Sequence, residues 1–359
     1  GRAVSDTGKR IGKVYGAPRG LVAFNYHPSV ISDLAESGFD VLSTANNHSM
    51  DRGSLGVERT IDALRENRMS FTGTRRRDDT PKRWSVVTKA RDMSVAWLAC
   101  TYSTNGIPDR NKLVLDCYKN TDLILDEIRA LRADPEIDAV FLTPHWGYEN
   151  QHRPRKRQRT LGRQAIEAGA TAVLGAHPHV LQPWEKIVTE DQREGLIIYS
   201  LGNFISNQRR TPQRAGILGL LSLVKPENGQ AQLAAAGYMP TWVEIDERGH
   251  RVTFNERTRG RRGEALARTL GLLPMGNRMA PSTALAFPTG CEGLRYAALS
   301  GPSPDRHWRN NPYHSTTKSR RTKRSWKRKS KRTRWKRRSR KYKKTSRRWR
   351  KKRRYRSKR

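Results

Sequence analysis

The sequence has 359 residues, enough to build one large α/β core or two smaller domains around a buried cleft. Its formal net charge is +39, but 28 of the 72 lysines and arginines fall in the last 42 residues, 318–359, which hold no Asp or Glu, so the first 317 residues carry only the remaining +11. Three widely separated cysteines, Cys100, Cys117 and Cys291, with no CxxC pair, argue against a disulfide framework and a cysteine zinc site, and the lack of any run of about 18 apolar residues argues against a membrane-spanning helix.

Residues 1–28 are rich in Gly, Lys and Arg without a clear period and read as irregular, with no charged-then-apolar leader behind Gly1. From Ser29 the pattern changes. A capping serine, helical spacing at Val30, Ile31 and Leu34, and a stop at Gly38 predict a helix, and Phe39-Asp-Val-Leu-Ser43 then reads as a short buried strand. Helix and strand alternate onward: helix 54–68, strand 94–100, helix 121–133 with Leu123, Ile124, Ile128 and Leu131, strand 137–143, helix 156–168, and strands 171–175 and 196–200. Such alternation predicts an α/β domain with a central sheet covered by helices. Beyond Gly216 the signal becomes mostly strand, at 216–224, 231–238, 241–246 and 250–254, which predicts a second, more antiparallel sheet. Residues 256–317 are Arg-, Pro- and Gly-rich and suggest no fold. The tail 318–359 is low-complexity Lys/Arg/Ser interleaved with Trp326, Trp335, Tyr342, Trp349 and Tyr355, and is expected to be disordered because like charges repel and little apolar surface offsets ordering entropy.

Three polar clusters fall at the ends of predicted strands, where open α/β sheets build their sites. They are Ala45-Asn46-Asn47-His48-Ser49-Met50-Asp51, His145-Trp146-Gly147-Tyr148-Glu149, and Gly175-Ala176-His177-Pro178-His179. Any one of these histidines alone reads as a satisfied loop or core residue. Four of them with an Asn-Asn pair at three strand ends point to a divalent-metal site, which needs several neutral imidazole or oxygen ligands converging on one place.

The run Phe39-Asp-Val-Leu-Ser-Thr-Ala-Asn-Asn-His-Ser-Met-Asp-Arg-Gly53 resembles a signature of the poly-γ-glutamate capsule synthesis (CapA) family. His145-Trp-Gly-Tyr-Glu149, Gly175-Ala-His-Pro-His-Val-Leu-Gln-Pro183, Tyr199-Ser-Leu-Gly-Asn-Phe-Ile205 and Tyr238-Met-Pro-Thr-Trp242 resemble its further blocks, in the same order, so the resemblance covers about residues 24–246. It implies the calcineurin-like metallophosphatase fold, a four-layer α/β/β/α sandwich, over 24–255, preceded by the irregular segment 1–23 and followed by an extension, 256–317, and the basic tail. It further implies a role in making or exporting capsule polymer, a location in the cell envelope or outside the cytoplasm, and a divalent metal (Mn, Fe, Zn or Mg).

Residue by residue, the resemblance implies that Asn47 ligates metal and that His48 protonates a leaving oxygen. His145 and His177 would ligate one metal and His179 a second. Asp51 would orient His48 or hold its loop. Glu149 has two readings of equal weight, a carboxylate beside the substrate or ligands and a solvated loop residue; Asn203 belongs to the same supporting shell. The family's opening Gly-Asp and Asn-Leu-Glu motifs, which supply acidic ligands, do not occur before Phe24, so the chain is expected to be N-terminally truncated with an incomplete two-metal site and one sheet short of strands. The position before His177 is Ala176 where the family often has another histidine.

Three functions follow as expectations. The first is a capsule-biosynthesis protein, a metal-dependent hydrolase at phosphate or amide bonds if its missing ligands are supplied. The second is an inactive scaffold that binds an anionic polymer such as poly-γ-glutamate, and the third is a nucleic-acid-binding protein acting through 318–359.

Overall fold

The computed structural model describes residues 24–80, 83–227, 229–247 and 249–281, so the expectations for 1–23, for the basic tail and for most of 256–317 lie outside the described residues. Helix α1 (Ser29–Glu36) buries Ile31 and ends at Gly38, whose φ of 84° is the left-handed geometry that closes a helix. Strand β1 (Val41–Ser43), helix α2 (Gly53–Glu66) and strand β2 (Ser70–Thr72) form a parallel β-α-β unit in which Val41 faces Ser70. Val57, Ile61 and Leu64 recur along one stripe of α2 and give it a buried face.

Next come β3 (Val86–Ala90), β4 (Met93–Thr101), α3 (Thr121–Ala133), β5 (Ala139–His145), α4 (Lys156–Ala168), β6 (Ala172–Leu174), β7 (Leu181–Val188) and β8 (Glu194–Leu201). They build a six-stranded sheet in the order β3-β4-β5-β6-β8-β7. The four central strands run parallel, and β3 and β7 are antiparallel edges. Ile124 and Ile128 of α3 and Leu161, Ala165 and Ile166 of α4 pack on Leu98, Leu142, Val173 and Ile197 to form the main core on one face of this sheet. Completely buried strands of this kind read as continuous apolar runs, which is why 94–100, 137–143 and 196–200 stand out in the sequence.

The short helix α5 (Thr211–Arg214) leads into β9 (Ala215–Val224), β10 (Gln232–Asp246) and β11 (Gly249–Phe254), an antiparallel sheet with β10 in the middle. β9 and β10 contact β7 and β8 on the side away from α3 and α4, and β2 contacts β4. α6 (Gly260–Leu272) lies against β9 and β10, with Ala265 packed on Ala215 and Trp242. The architecture is therefore mixed α/β with helix, sheet, sheet and helix layers. No helix among the described residues is long and apolar enough to cross a membrane.

Several features depart from the sequence expectation, among them the strands β2 and β3, which lie between the predicted helix 54–68 and the predicted strand 94–100. Cys100 and Cys117 form a disulfide, which the sequence reading had argued against on spacing. The chain between them doubles back: the Thr101 N–H donates to Leu115 O and the Cys117 N–H to Thr101 O, bringing the two buried sulfurs together beside β4. β10 is one strand rather than two, because the proline that appears to break it, Pro240, lies just past the end of the β11 pairing, which starts at Thr241–Phe254; a missing N–H there costs no ladder bond. β7 passes unnoticed in the sequence because Pro183 interrupts it, and as an edge strand it tolerates that residue. α6 occupies part of the 256–317 span for which no fold was expected; Ala265, Leu266, Thr269 and Leu272 give it a buried stripe within an arginine-rich segment.

Candidate metal centre

The loops that follow β1, β4, β5, β6 and β8 meet at one end of the sheet, the end where open α/β sheets carry their sites. Each is fixed by its own chemistry. In the first, Asn46 Oδ1 accepts the His48 N–H at 2.8 Å, and the Ser49 hydroxyl donates to Thr44 O at 2.7 Å, so consecutive turns set Asn47 and His48 on the rim while Ala45 and Met50 are buried. Gly175 is required at the end of β6: a Cβ there would lie 2.2 Å from Tyr199 O and 2.5 Å from Trp146 Nε1, the pair that makes a 2.9 Å hydrogen bond. His177 and His179 that follow hold φ of 96° and 59°. Left-handed backbone at two non-glycine residues costs on the order of 1–3 kcal/mol each and persists where surrounding structure imposes it, characteristically at functional sites.

The side chains converge. Asn47 Oδ1 is 3.0 Å from His145 Nε2, and His145 Nε2 is 3.1 Å from His177 Nδ1. Glu149, His177 and His179 each offer a ligand atom, all within 4.8 Å of one another, and could together hold a metal ion. His177 thus adjoins both groups. His179 Nδ1 is 2.9 Å from Asn203 Oδ1, while the Asn203 amide donates to Gln208 Oε1 and Gln213 O; with its nitrogen so engaged, Asn203 presents oxygen to His179 and holds that ring as the Nδ1–H tautomer. The Gln213 amide in turn donates to Asn150 Oδ1 at 2.6 Å, tying this loop to the one that carries Glu149.

His48 stands at the open side. Its Nδ1 is 2.8 Å from Asp51 Oδ2, and the same carboxylate oxygen accepts the Phe24 N–H at 2.7 Å. The Phe24 ring stands edge-on to His48 at 4.5 Å. Asp51 is almost buried and His48 is 29% exposed, so an anchored carboxylate fixes a ring whose second nitrogen remains for chemistry.

Burial, reinforced by His177, His179 and His48, holds the His145 pKa well below the usual imidazole value. Burial likewise lowers His177 to about 4, with His179 and His48 adding to the effect. Both rings are neutral at physiological pH and carry the lone pairs a ligand needs. Tyr102, whose ring lies 4.5 Å from His177, has its phenol raised by burial and then by Glu149 and Tyr148.

All eight residues singled out in the sequence, Asn47, His48, Asp51, His145, Glu149, His177, His179 and Asn203, fall in this one region. Two that the sequence reading passed over join them: Tyr102 and Asn105, both on the loop after β4. The Asn105-Gly106 pair just beyond the strand 94–100 is the available signal, but in sequence it marks a turn and carries no sign of a side chain directed at Asn47.

A model of the family described as bacterial capsule synthesis protein PGA_cap matches residues 9–208. Among curated relatives, the capsule biosynthesis protein CapA of Bacillus anthracis is 32% identical over 182 residues, covering 50% of this chain and 43% of the relative. The PGA biosynthesis protein CapA of Bacillus subtilis (strain 168) is 31% identical over 212 residues, covering 56% of this chain and 51% of the relative. The chain therefore spans about half the length of the curated relatives it matches. A solved structure from Staphylococcus aureus, described as a 5'-nucleotidase in complex with alpha-ketoglutarate, matches at 14% identity with a TM-score of 0.39, covering 62% of this chain and 42% of that one. With more than half of its length matched by the family model, and the matched blocks forming the converging loops just described, this chain belongs to the bacterial capsule synthesis protein PGA_cap family.

Proposed function

We propose that this chain supplies a divalent-metal centre to a capsule-polymer biosynthesis protein, with Asn47, His145 and His177 as ligands, and His179 and Glu149 completing the donor set around His177. The observation that carries the reading is the spacing of Asn47 Oδ1, His145 Nε2 and His177 Nδ1 at 3.0 and 3.1 Å. Neutral nitrogen and oxygen ligands with bonds of about 2.1 Å to one ion stand roughly 3.0–3.4 Å apart, and both separations, Asn47 to His145 and His145 to His177, fall in that range.

An ion held there supplies Lewis acidity at a phosphoryl or carbonyl oxygen of the substrate. The chain's own residues do the rest. Asp51 accepts the His48 Nδ1–H and stabilises the doubly protonated ring, which delivers its Nε2 proton to a leaving oxygen and is left as the neutral Nδ1–H tautomer. Asn203 fixes His179. The reaction class is hydrolysis or transfer at a phosphate or amide bond, and the partner is an anionic polymer of the poly-γ-glutamate kind, which family membership favours over nucleic acid. The chain belongs to the envelope side of the membrane: a disulfide such as Cys100–Cys117 persists in oxidising compartments.

With Asn47, His145 and His177 gathered at one place and His179 and Glu149 beside His177, about one ion per chain is expected. Equilibrium dialysis against Mn²⁺ tests this. The unaltered chain should retain about one ion and the His145→Ala, His177→Ala double variant none; equal retention by both proteins would sink the proposal.

A further inference from the structure

We infer that Asn105 is a positioning residue for the metal centre, acting through Asn47; the inference rests on the metal reading above. An asparagine ligates through its oxygen, yet the two ends of its amide are nearly the same shape, so something must decide which end faces the ion. Here the Asn47 Nδ2 donates to Asn105 Oδ1 at 3.1 Å. That bond spends the nitrogen on Asn105 and turns Asn47 Oδ1 towards His145 Nε2. Asn47 is buried, so water offers little competing restraint.

Asn105 is itself held in place. Its φ is 54°, the left-handed region that asparagine tolerates better than most residues, and its N–H donates to Ser103 Oγ at 3.0 Å. The Thr104 hydroxyl donates to Ile107 O at 2.7 Å, and the Thr101 hydroxyl donates to Ser103 O at 3.0 Å. The loop therefore presents the Asn105 amide from a braced backbone. Its Nδ2 approaches His48 Nδ1 at 3.5 Å, too long for a good hydrogen bond and against a nitrogen already engaged by Asp51, so the Asn47 contact is the one that orders the site.

The test is a double-mutant cycle read by Mn²⁺ affinity on the full chain. Partners of this kind typically change metal affinity by about 10–100-fold when removed. Asn105→Leu, similar in size but with no acceptor, should weaken Mn²⁺ binding by roughly that factor, whereas Asn105→Asp, which keeps an acceptor for the Asn47 nitrogen, should bind at least as tightly as the unaltered chain. In an Asn47→Ala background, Asn105→Leu should have no further effect, because a residue acting only through Asn47 has nothing left to act on. A loss that persists in that background, or equal losses in the Leu and Asp variants, overturns the inference. The metal-free protein gives a separate readout by nuclear magnetic resonance: the Asn47 side-chain amide protons should be shifted and slow to exchange, and should become solvent-like in Asn105→Leu. Failure of the unaltered chain to bind Mn²⁺ would refute the metal reading; Asn47 amide signals indifferent to Asn105→Leu would refute this one.

Discussion

Acidification should destabilise the metal-free protein through His177, by an amount that follows from its burial. The folded-state pKa is lowered to about 4 from an ordinary value of 6.5. Between those values the unfolded chain binds a proton that the folded chain refuses, so unfolding gains protons and stability falls as pH falls. Above about pH 6.5 both states are neutral and the contribution is fully present. At 1.36 kcal/mol per unit, the interval is worth roughly 3 kcal/mol by the time pH reaches the folded-state value. Other groups titrate in the same range, so the quantity to measure is a difference. Urea denaturation at pH 7, 6, 5 and 4.5 in chelator, for the unaltered chain and for His177→Gln, isolates it. The unaltered chain should lose on the order of 2 kcal/mol more than the variant between pH 7 and 4.5, because glutamine keeps a polar side chain but has no proton to take up. Parallel pH profiles would show that His177 reaches water easily and that its ring is not held neutral by burial. The same shift moves metal loss downward: proton competition at His177 should set in near pH 5 or below rather than at the ordinary histidine value.

Gly175→Ala should destabilise the fold by about 1–3 kcal/mol, since its Cβ meets the Tyr199 carbonyl at 2.2 Å, and thermal unfolding should show it together with weakened Mn²⁺ binding. A paired Cys100→Ser, Cys117→Ser substitution should lower stability by roughly 3 kcal/mol, the loop-closure value for residues 17 apart, as read by chemical denaturation. With a phosphodiester or amide substrate in hand, Asp51→Asn should lower turnover at least about 10-fold while Mn²⁺ content stays constant, because it disturbs the His48 tautomer and no ligand. A matching loss of metal would show instead that Asp51 merely holds the loop.

Much of this arrangement could be read from residue types alone. The buried parallel strands announce themselves as apolar runs, and α3 and α4 by their stripes. The His and Asn clusters sit at strand ends, and topology alone then brings them together. What escaped the sequence was of two kinds. Pro183 hides β7 and Pro240 makes β10 look like two strands, because a local rule about missing N–H groups depends on which side of a strand is paired, a property of the sheet and not of the residue. The Cys100–Cys117 bond and the Asn105–Asn47 contact join segments whose approach depends on how the loop after β4 folds back, and no periodicity encodes that path. The grouping of Glu149 with His177 and His179 depends likewise on the two left-handed histidines, which no propensity would have chosen.

The disulfide also has a bearing on how the protein should be prepared. Its two sulfurs bracket the loop from 101 to 116, and that loop carries Asn105. Material expressed in a reducing cytosol would leave the loop without its covalent closure, held by hydrogen bonds such as those of the Thr101 and Cys117 N–H groups, and thiol reductant in a purification buffer would do the same. Batches differing only in oxidation state could then share one circular dichroism spectrum and still differ in metal content. A free-thiol assay on every preparation, before any titration, would separate a weak site from a loosened one.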